Sequence, residues 1–574
     1  MSLKEYVVTA KSMDDLESLY NDLETAGGTD TIPDREVLVY RRRPISQSTH
    51  YMLTDEEAVT LKNDPRVLNV EPMELILGSV KLHSYKQTGT FSKTTYTTSM
   101  DASWKNWALL RCIEGVQRSN WGDDNTATQI ATIDIGPTGK NVDVIIMDGM
   151  CGVPNHPEFA VNADGTGGSR YIQYDWYQLN SVVSSIDDDA ATLLTGSYSY
   201  AASADTEDAN HGAHTAGTAC GNTQGWARDA NIYQIDPLSG SVNSLIIWDY
   251  IRAFHRTKSI NPATGRKNPT ICNCSFGNGL TFPDAGLTLG AVKQATRRGT
   301  TTGPFGTNPY TAFTSAQLND VGMYNTTTSN VVYASVPYYI TANAADVAAA
   351  IAEGIIVVGS SGNESFYVDN STGQDYNNNF TASYGSPTSF YTWYQHRGSS
   401  PACVPGAICV GAIGAGQVER KASYSNTGDR IDIFAPGTWI TSSWASSTPG
   451  SWGNIVADSR NGSYYMSRSI GTSMASPQVT GVLACVLELY PNMTPAEATA
   501  YIKYYAKTNQ LTDATVLSSP EWTSNTQSMQ GATNRFLFMP REKQLSGAAY
   551  PKVNYNIRPT SGSVYPRVKR RIRG

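Results

Sequence analysis

The chain has 574 residues, of which 40% are hydrophobic and 16% charged, a balance typical of a folded protein of more than one domain and not of a disordered one. Its net charge of −7 hides an asymmetry, because residues 541–574 hold nine Lys or Arg and one Glu, whereas the rest has 34 basic and 49 acidic side chains. An acidic body with a basic tail argues against a general nucleic-acid binder, and the absence of any run of about 18 apolar residues predicts no membrane span.

The first 77 residues are predicted to form a small α+β domain. Strand-like segments alternate with two helical ones, the first being "SMDDLESLYNDLETAGG", with apolar residues at helical spacing and a glycine stop. The second helix is predicted after Thr54, which has the spacing of a capping box with Glu57. Residues 78–100 are polar and rich in Ser and Thr, and they are predicted to be a linker.

Residues 101–541 alternate strand and helix signals. The runs "VDVIIMD", "ANIYQID", "TICNCSF", "GIIVVGS" and "AICVGAI" are short and rich in β-branched residues, and helical stretches such as "AADVAAAIAEG" lie between them. This alternation predicts an α/β domain with a mostly parallel sheet, in which ligands bind beyond the carboxyl ends of the strands. Polar stretches near 164–208, 278–340 and 364–400 are predicted to be surface insertions, and residues 542–574 an extended tail.

The eight cysteines and the amino-terminal segment indicate in which cell compartment the chain folds. "MSLKEYVVTAKSMDD" has no apolar core of a secretory signal, so no signal peptide is predicted. We therefore expect reduced, buried thiols and no disulfide framework, and the absence of a CxxC pair argues against a zinc ribbon.

Three residues in separate segments have the chemistry of nucleophilic catalysis. Asp148 ends the strand "VDVIIMD", His211 lies in "NHGAHTAG" at a predicted helix start with Asn210 as cap, and Ser473 lies in "RSIGTSMASPQVTG", before a helical stretch that runs to Leu489. A serine at a helix amino terminus places backbone N–H groups and the helix dipole near an oxyanion. Its hydroxyl needs a base, and the base needs an orienting group. Asp, His and Ser in this order match one of the known chain orders of such a triad.

These motifs resemble the subtilase family of serine proteases over about residues 101–541. The matching segments are "GKNVDVIIMDG", "NHGAHTAGTACG", "GTSMASPQVTG", "GIIVVGSSGNES" and "NCSFGNG". The resemblance implies a subtilisin-like, mostly parallel sheet flanked by helices and a serine endopeptidase that cleaves protein or peptide substrates. The site residues that it implies are Asp148, His211 and Ser473 as the triad, Asn363 with the Ser473 backbone N–H as the oxyanion hole, and Ser275, Phe276 and Gly277 as the substrate-binding strand.

Residues 1–77 are similar to the inhibitor I9-like prodomain of subtilases, which implies a ferredoxin-like β-α-β-β-α-β fold ending in "LKNDPRVLNVEPM". In that family the prodomain assists folding, occupies the cleft and is cut off. The resemblance therefore implies a zymogen that processes itself within about residues 78–103, with its own prodomain as a partner.

Two positions depart from the family pattern. Gly149 stands where the family usually has Ser or Thr, which removes a hydroxyl contact to the carboxylate of Asp148, and Ala213 stands where Thr is usual. A zinc site at His211 and His214 is disfavoured, because neither HExxH nor a third ligand at metal spacing accompanies them. His214 is predicted to be a packing residue.

No metal site is predicted and no cofactor is expected to be required. Calcium is a further option, since "DDD" at 187–189 has suitable ligands, but a solvated loop is the favoured interpretation and no calcium site can be assigned.

A second hypothesis belongs to a different functional class. The polar insertions, the missing signal and the basic tail 542–574 fit a latent or inactive subtilase domain that is a structural component of a larger assembly, such as a phage virion or tail, with the tail contacting assembly partners. The two hypotheses place the protein in the cytoplasm of the producing cell or in a virion or other extracellular particle.

Overall fold

The chain divides into two compact units, Met1–Ser84 and Tyr85–Gly574. The computed structural model describes residues 3–42, 46–73, 85–93, 104–118, 121, 128–149, 152–186, 207–237, 244–281, 292–302, 335–383, 390–449, 455–513 and 527–540. The predicted tail 542–574, the acidic run 187–189 and most of the predicted insertion 278–340 lie outside these residues.

The first unit is a four-stranded antiparallel sheet with two helices. Its elements are β1 (Lys4–Ala10), α1 (Met13–Leu23), β2 (Leu38–Arg41), β3 (Ser48–Leu53), α2 (Asp55–Lys62) and β4 (Val67–Pro72). The strand order β2-β3-β1-β4 is that of a ferredoxin-like fold, as expected, around a core that includes Val8, Leu19 and Tyr51. Thr54 and Glu57 form the predicted capping box. The role of this unit as a prodomain stays a prediction.

The second unit is built on an eight-stranded sheet, which confirms the predicted α/β class. Its strands are β8 (Asp143–Met147), β9 (Asn231–Ile235), β10 (Thr270–Cys274), β15 (Ile356–Ser360), β18 (Ile408–Ile413), β19 (Ile433–Pro436), β23 (Lys507–Thr508) and β24 (Arg535–Phe536). Their order is β23-β24-β19-β18-β15-β10-β8-β9, and all neighbours are parallel except the edge pair β23 and β24. The central strands are buried along their whole length, which explains why most of their residues are apolar.

Helices cover this sheet. Those described are α3 (Trp107–Glu114), α4 (Asn180–Ile186), α5 (Glu207–Cys220), α6 (Ser244–Thr257), α7 (Thr341–Ala352), α8 (Thr472–Leu489) and α9 (Pro495–Tyr505). The almost wholly buried α8 packs against β10, β15, β18 and β19 and also against α5. The core therefore brings the two helices that carry His211 and Ser473 into contact.

Smaller sheets surround the main one. Their strands are β5 (Tyr85–Ser92), β6 (Trp104–Asn106), β7 (Thr128–Gly136), β11 (Gly279–Thr281), β12 (Val292–Arg297), β13 (Thr300–Thr302), β14 (Ser335–Pro337), β16 (Asn379–Ser383), β17 (Phe390–Trp393), β20 (Ile440–Trp444), β21 (Val456–Asp458) and β22 (Asn461–Ser469). Parts of the predicted insertions are thus ordered, since β16 and β17 join β12 and β13 in one antiparallel sheet.

Strand β5 corrects the predicted linker 78–100. It pairs with β6 and β7 and buries Gln87 and Phe91, while Thr88 between them is exposed. The composition was misleading because a half-buried strand of polar residues resembles a linker when its pairing partners lie elsewhere in the chain.

The cysteines of the described segments are free and buried, as predicted; they are Cys112, Cys220, Cys272, Cys274, Cys403, Cys409 and Cys485. Among the helices of the described residues, none is both long and apolar enough to cross a membrane.

Candidate active site

Asp148 is fixed where β8 leaves the sheet. Its backbone N–H donates to the Ile235 carbonyl at the end of β9 (3.1 Å), and Gln234 Nε2 donates to its carbonyl oxygen (3.2 Å). The residue is only 3% exposed. The carboxyl edge of the main sheet therefore presents this carboxylate in one position.

Three donors hold the carboxylate of Asp148. His211 Nδ1 lies 2.7 Å from Oδ1, the Gly149 N–H donates to the same oxygen (2.7 Å), and the Thr215 hydroxyl lies 3.0 Å from Oδ2. An ionised carboxylate only accepts hydrogen bonds, so the network assigns the imidazole proton to Nδ1, and in the neutral ring Nε2 carries the basic lone pair. The His211 side chain is 33% exposed, so this base is accessible.

Helix α5 carries His211 in its interior and not at its start, which corrects the predicted cap. The described helix begins at Glu207. The side chain of Asn210 instead accepts from the backbone N–H groups of Ala445 (3.1 Å) and Ser446 (2.9 Å). Asn210 thus joins α5 to the segment that follows β20, immediately before the histidine.

His214 lies one helical turn beyond His211 and is fully buried. Its Nε2 lies 2.9 Å from the Ile440 carbonyl, and its ring meets Trp444 edge to face. Burial lowers the pKa of His214 to about 3, so the ring is neutral near pH 7. The predicted packing role fits these contacts.

Ser473 lies in the first turn of α8, and its hydroxyl donates to the Ser275 carbonyl (2.8 Å). The helix follows Gly471, whose φ of 145° is one that L side chains rarely adopt. Because the first N–H groups of a helix have no partner within it, the Ser473 N–H is suited to bind an anion.

Ser275 and Ser473 form a reciprocal pair. The Ser275 hydroxyl donates to the Ser473 carbonyl (2.8 Å), which would otherwise accept from residue 477 in the helix. Pro477, the sixth residue of α8, has no N–H to give. Ser275 therefore supplies the hydrogen bond that the proline removes, and it fixes the carbonyl of the predicted nucleophile.

Asn363 lies three residues beyond β15, and its side chain has a defined orientation. Its Oδ1 accepts from the Thr472 N–H (2.8 Å) and from the Thr472 hydroxyl (2.9 Å), which turns the amide Nδ2 the other way. Asn363 Nδ2 and Ser473 N each lie 3.6 Å from the position that a Cβ on Gly471 would occupy. The side-chain amide of Asn363 and the backbone N–H of Ser473 therefore lie near one another, on the same side of Gly471.

An open cleft of about 420 Å³ lies beside Ser473. Its lining comprises Ser275, Phe276, Gly277, Asn278, Gly279, Pro337, Ser360, Gly362, Asn363, Glu364, Ser399 and Ser473. The only charged side chain of this lining is Glu364, and burial raises the pKa of its carboxyl group. The cleft therefore adjoins both the hydroxyl of Ser473 and the amide of Asn363.

The structure brings the predicted residues together in two groups at one edge of the sheet. Asp148 pairs with His211, and Ser473 lies with Asn363 and the segment Ser275–Gly277. Both groups lie at the carboxyl edge, because β8, β10 and β15 are neighbouring parallel strands. Within the described residues, no group of three or more His, Cys, Asp or Glu side chains is placed to hold a metal ion.

Three supporting residues were not predicted from the sequence. Thr215 forms a hydrogen bond with Asp148 and Thr472 forms one with Asn363. Both threonines lie inside the quoted motifs. Asn426 lies outside them; its side chain binds the Ser361 carbonyl (2.7 Å) and the Phe366 N–H (2.7 Å), and so shapes the loop that carries Asn363. Only the run of polar residues in "SYSNTG" could have drawn attention to it.

A buried carboxylate–imidazole pair and a serine at a helix amino terminus, at the carboxyl edge of a parallel sheet, are the features of a serine hydrolase on an α/β fold. The model of the subtilase family matches residues 139–532, and the chain belongs to that family.

Two curated relatives illustrate the similarity. The chain is 39% identical over 115 residues to an extracellular serine proteinase of Thermus sp. (strain Rt41A), which is 20% of this chain and 24% of that protein. It is 25% identical over 303 residues to alkaline protease 1 of Aspergillus clavatus, which is 53% of this chain and 49% of that protein. The chain thus spans about half or less of the length of these relatives. Among solved structures, a cold adapted subtilisin-like serine proteinase has a TM-score of 0.41 at 20% identity, over 75% of this chain and 97% of that one.

Proposed function

We propose that the chain is a serine endopeptidase of the subtilase type that hydrolyses peptide bonds through an acyl-enzyme. The observation that carries the proposal is the pairing of His211 Nδ1 with the buried Asp148 carboxylate at the same sheet edge as the Ser473 hydroxyl. His211 is the general base, Asp148 orients it, and Ser473 is the nucleophile.

On substrate binding, the Ser473 hydroxyl exchanges its bond to the Ser275 carbonyl for one to His211 Nε2. Its oxygen then bonds to the scissile carbonyl carbon while the proton passes to Nε2. The oxyanion accepts from Asn363 Nδ2 and the Ser473 N–H. The C–N bond breaks as Nε2 returns the proton to the leaving amine, and water then hydrolyses the ester by the same relay in reverse.

The segment Ser275–Gly277 binds the substrate backbone as an added strand in this proposal. Gly277 is exposed and Phe276 half-buried, so this side of the cleft is open to an extended peptide. The substrates are therefore proteins or peptides, and the reaction requires no cofactor.

The proposal includes a zymogen, with residues 1–77 as prodomain and self-cleavage within about residues 78–103. Intact mass and amino-terminal sequencing should show a product that begins in this range for the wild type, and an uncut chain for Ser473→Ala.

A fluorophosphonate probe tests the nucleophile directly. Wild type should be labelled on Ser473, Ser473→Ala should not be labelled, and Ser463→Ala, which changes an exposed serine on β22, should be labelled like wild type. An unlabelled, uncut wild type would reject the enzyme in favour of a latent domain that is a structural component of an assembly.

A further inference from the structure

Residue 149 provides no hydroxyl to the carboxylate of Asp148, and its surroundings explain why. A Cβ added to Gly149 would collide with the backbone carbonyl of Asp208, next to the start of α5. That obstacle is backbone, so it cannot turn aside as a flexible side chain would. In this chain a serine or threonine at position 149 would therefore require the start of α5 to shift.

A hydroxyl nevertheless contacts Asp148, and it comes from another element. Thr215, one turn after His211 on α5, is fully buried and places its Oγ1 3.0 Å from Asp148 Oδ2. The histidine and the threonine therefore hold opposite oxygens of one carboxylate, and both lie on the same helix.

The Thr215 hydroxyl has one proton and two acceptors within reach. The Gly212 carbonyl lies 3.1 Å away, at nearly the same distance as Asp148 Oδ2. The carboxylate is charged and cannot donate, so an O···O contact of 3.0 Å without a proton would be repulsive. A hydrogen bond to a charged acceptor is also about twice as strong as a neutral one. The proton therefore lies toward Asp148.

We propose that Thr215 is a positioning residue for the catalytic pair: its hydroxyl replaces the one that Gly149 cannot provide and locks the Asp148 carboxylate toward His211. With Oδ2 bonded to Thr215 and Oδ1 bonded to the Gly149 N–H, the carboxylate cannot rotate without breaking both bonds. Its alignment with His211 Nδ1 then persists when the imidazole becomes charged. This inference rests on the proposed peptidase function.

The ionisable groups described around this pair are the same in every variant compared. His214 and Cys274 are uncharged near neutral pH, because burial lowers the pKa of His214 to about 3 and raises that of Cys274. Asp208, whose side chain lies beside Gly149, is exposed and is unchanged by the substitutions. A change in the pKa of His211 between variants therefore reports on Asp148.

Thr215→Val removes the hydroxyl and nearly preserves the shape of the side chain. We expect kcat on a peptide substrate to fall about 10-fold with little change in KM, because misalignment affects the transition state more than binding. We also expect the acid limb of the kcat/KM profile to move to lower pH, because a carboxylate free to rotate stabilises the imidazolium less. Thr215→Ser, which keeps the hydroxyl, should restore both.

Thr218→Val is the matched control. Thr218 is buried on the same helix, but its hydroxyl donates to the His214 carbonyl (2.8 Å), so kcat should be unchanged. Wild-type kcat and an unmoved acid limb in Thr215→Val would overturn the proposal, as would an equal loss in Thr218→Val.

A readout without catalysis separates this inference from the proposed function. In the Ser473→Ala background, the pKa of His211 is measured by nuclear magnetic resonance of its ring nitrogens, with and without the second substitution Thr215→Val. A lower pKa in the double variant supports the positioning role even if the wild type cleaves nothing. An unchanged pKa rejects that role even if the wild type is an active protease.

Discussion

The two groups of residues in the candidate active site differ in their exposure to solvent. Asp148 and Thr215 are enclosed, and the carboxylate has a donor on each oxygen. Asn363 is exposed, and together with Ser473 it borders an open cleft. Proton transfer needs one fixed geometry, which burial provides, whereas substrate needs access. In the proposed mechanism, the enclosed group orients the base and the open group binds the peptide.

The largest effect on catalysis should follow from removing a donor on the open side. Asn363→Ala should lower kcat by about 10²–10³-fold, the loss typical of removing one oxyanion-hole donor, with little change in KM, because in the proposed mechanism the amide stabilises charge that appears only in the transition state. Steady-state kinetics on a peptide substrate measures this. Asn461→Ala, at another exposed asparagine, should retain the wild-type rate. If Asn363→Ala raised KM and left kcat unchanged, Asn363 would contribute to substrate binding in the ground state. The contrast between the enclosed and the open group would then not hold.

A loss of stability, and not of activity, is expected from a change at Glu158. This residue binds the chain just after the carboxyl-terminal end of α5, away from His211. Glu158 is fully buried and accepts from the backbone N–H groups of Thr223 and Gln224 (both 3.0 Å) and from Arg460 (2.5 Å). Glu158→Gln breaks a buried ion pair, so the free energy of unfolding should fall by about 3–5 kcal/mol while kcat of the folded protein is kept. Denaturant unfolding and kinetics on the same samples test both; a fall in kcat with unchanged stability would contradict the assignment.

The ionisation of Glu158 also makes the free energy of unfolding depend on pH. Burial opposes its ionisation, but the charge of Arg460 and the hydrogen bonds from Thr223 outweigh burial and hold the pKa of Glu158 at about 2. The pKa of an unfolded glutamate is about 4.3, so the stabilisation is complete above that pH and is lost as the pH falls through the folded value. Wild type should lose about 3 kcal/mol over this window from this group, and Glu158→Gln should lack that component.

The smallest effect concerns His214, the second histidine of α5. With a pKa lowered to about 3 by burial, His214 should show no titration from about pH 4 to 9. Ring-nitrogen spectra of the folded protein, with His214→Asn to assign the signals, would test this. A His214 signal that titrates near neutral pH would show that the enclosed region admits water.

Much of the fold could be predicted because its local signals agree with its packing. The five mostly apolar runs of the second unit correspond to β8, β9, β10, β15 and β18. All of them except the edge strand β9 are buried throughout, and strands buried on both faces need mostly apolar sequences. The predicted helix after Ser473 ends at Leu489 as expected. Strand β5 was missed because its stability comes from partners distant in sequence and not from its own composition.

The principal residues of the candidate site could be predicted from the sequence, but the residues that hold them in place could not. Asp148, His211 and Ser473 could be selected from motif and order, since each reacting group must be of one chemical type. The contacts of Thr215 and Asn426 depend on which side chains face each other in the folded chain. No spacing rule shows that a threonine on α5 reaches an oxygen beyond β8.

The close packing of Gly149 against the Asp208 carbonyl restricts how this site can be exchanged between homologues. A chimera that takes a Ser or Thr at position 149 from another subtilase would push the start of α5 outward, and one that takes an apolar residue at position 215 would leave a carboxylate oxygen without a donor. Residues 149, 208 and 215 therefore have to be exchanged together. During evolution, the changes tolerated at one of these positions depend on the residues already present at the other two.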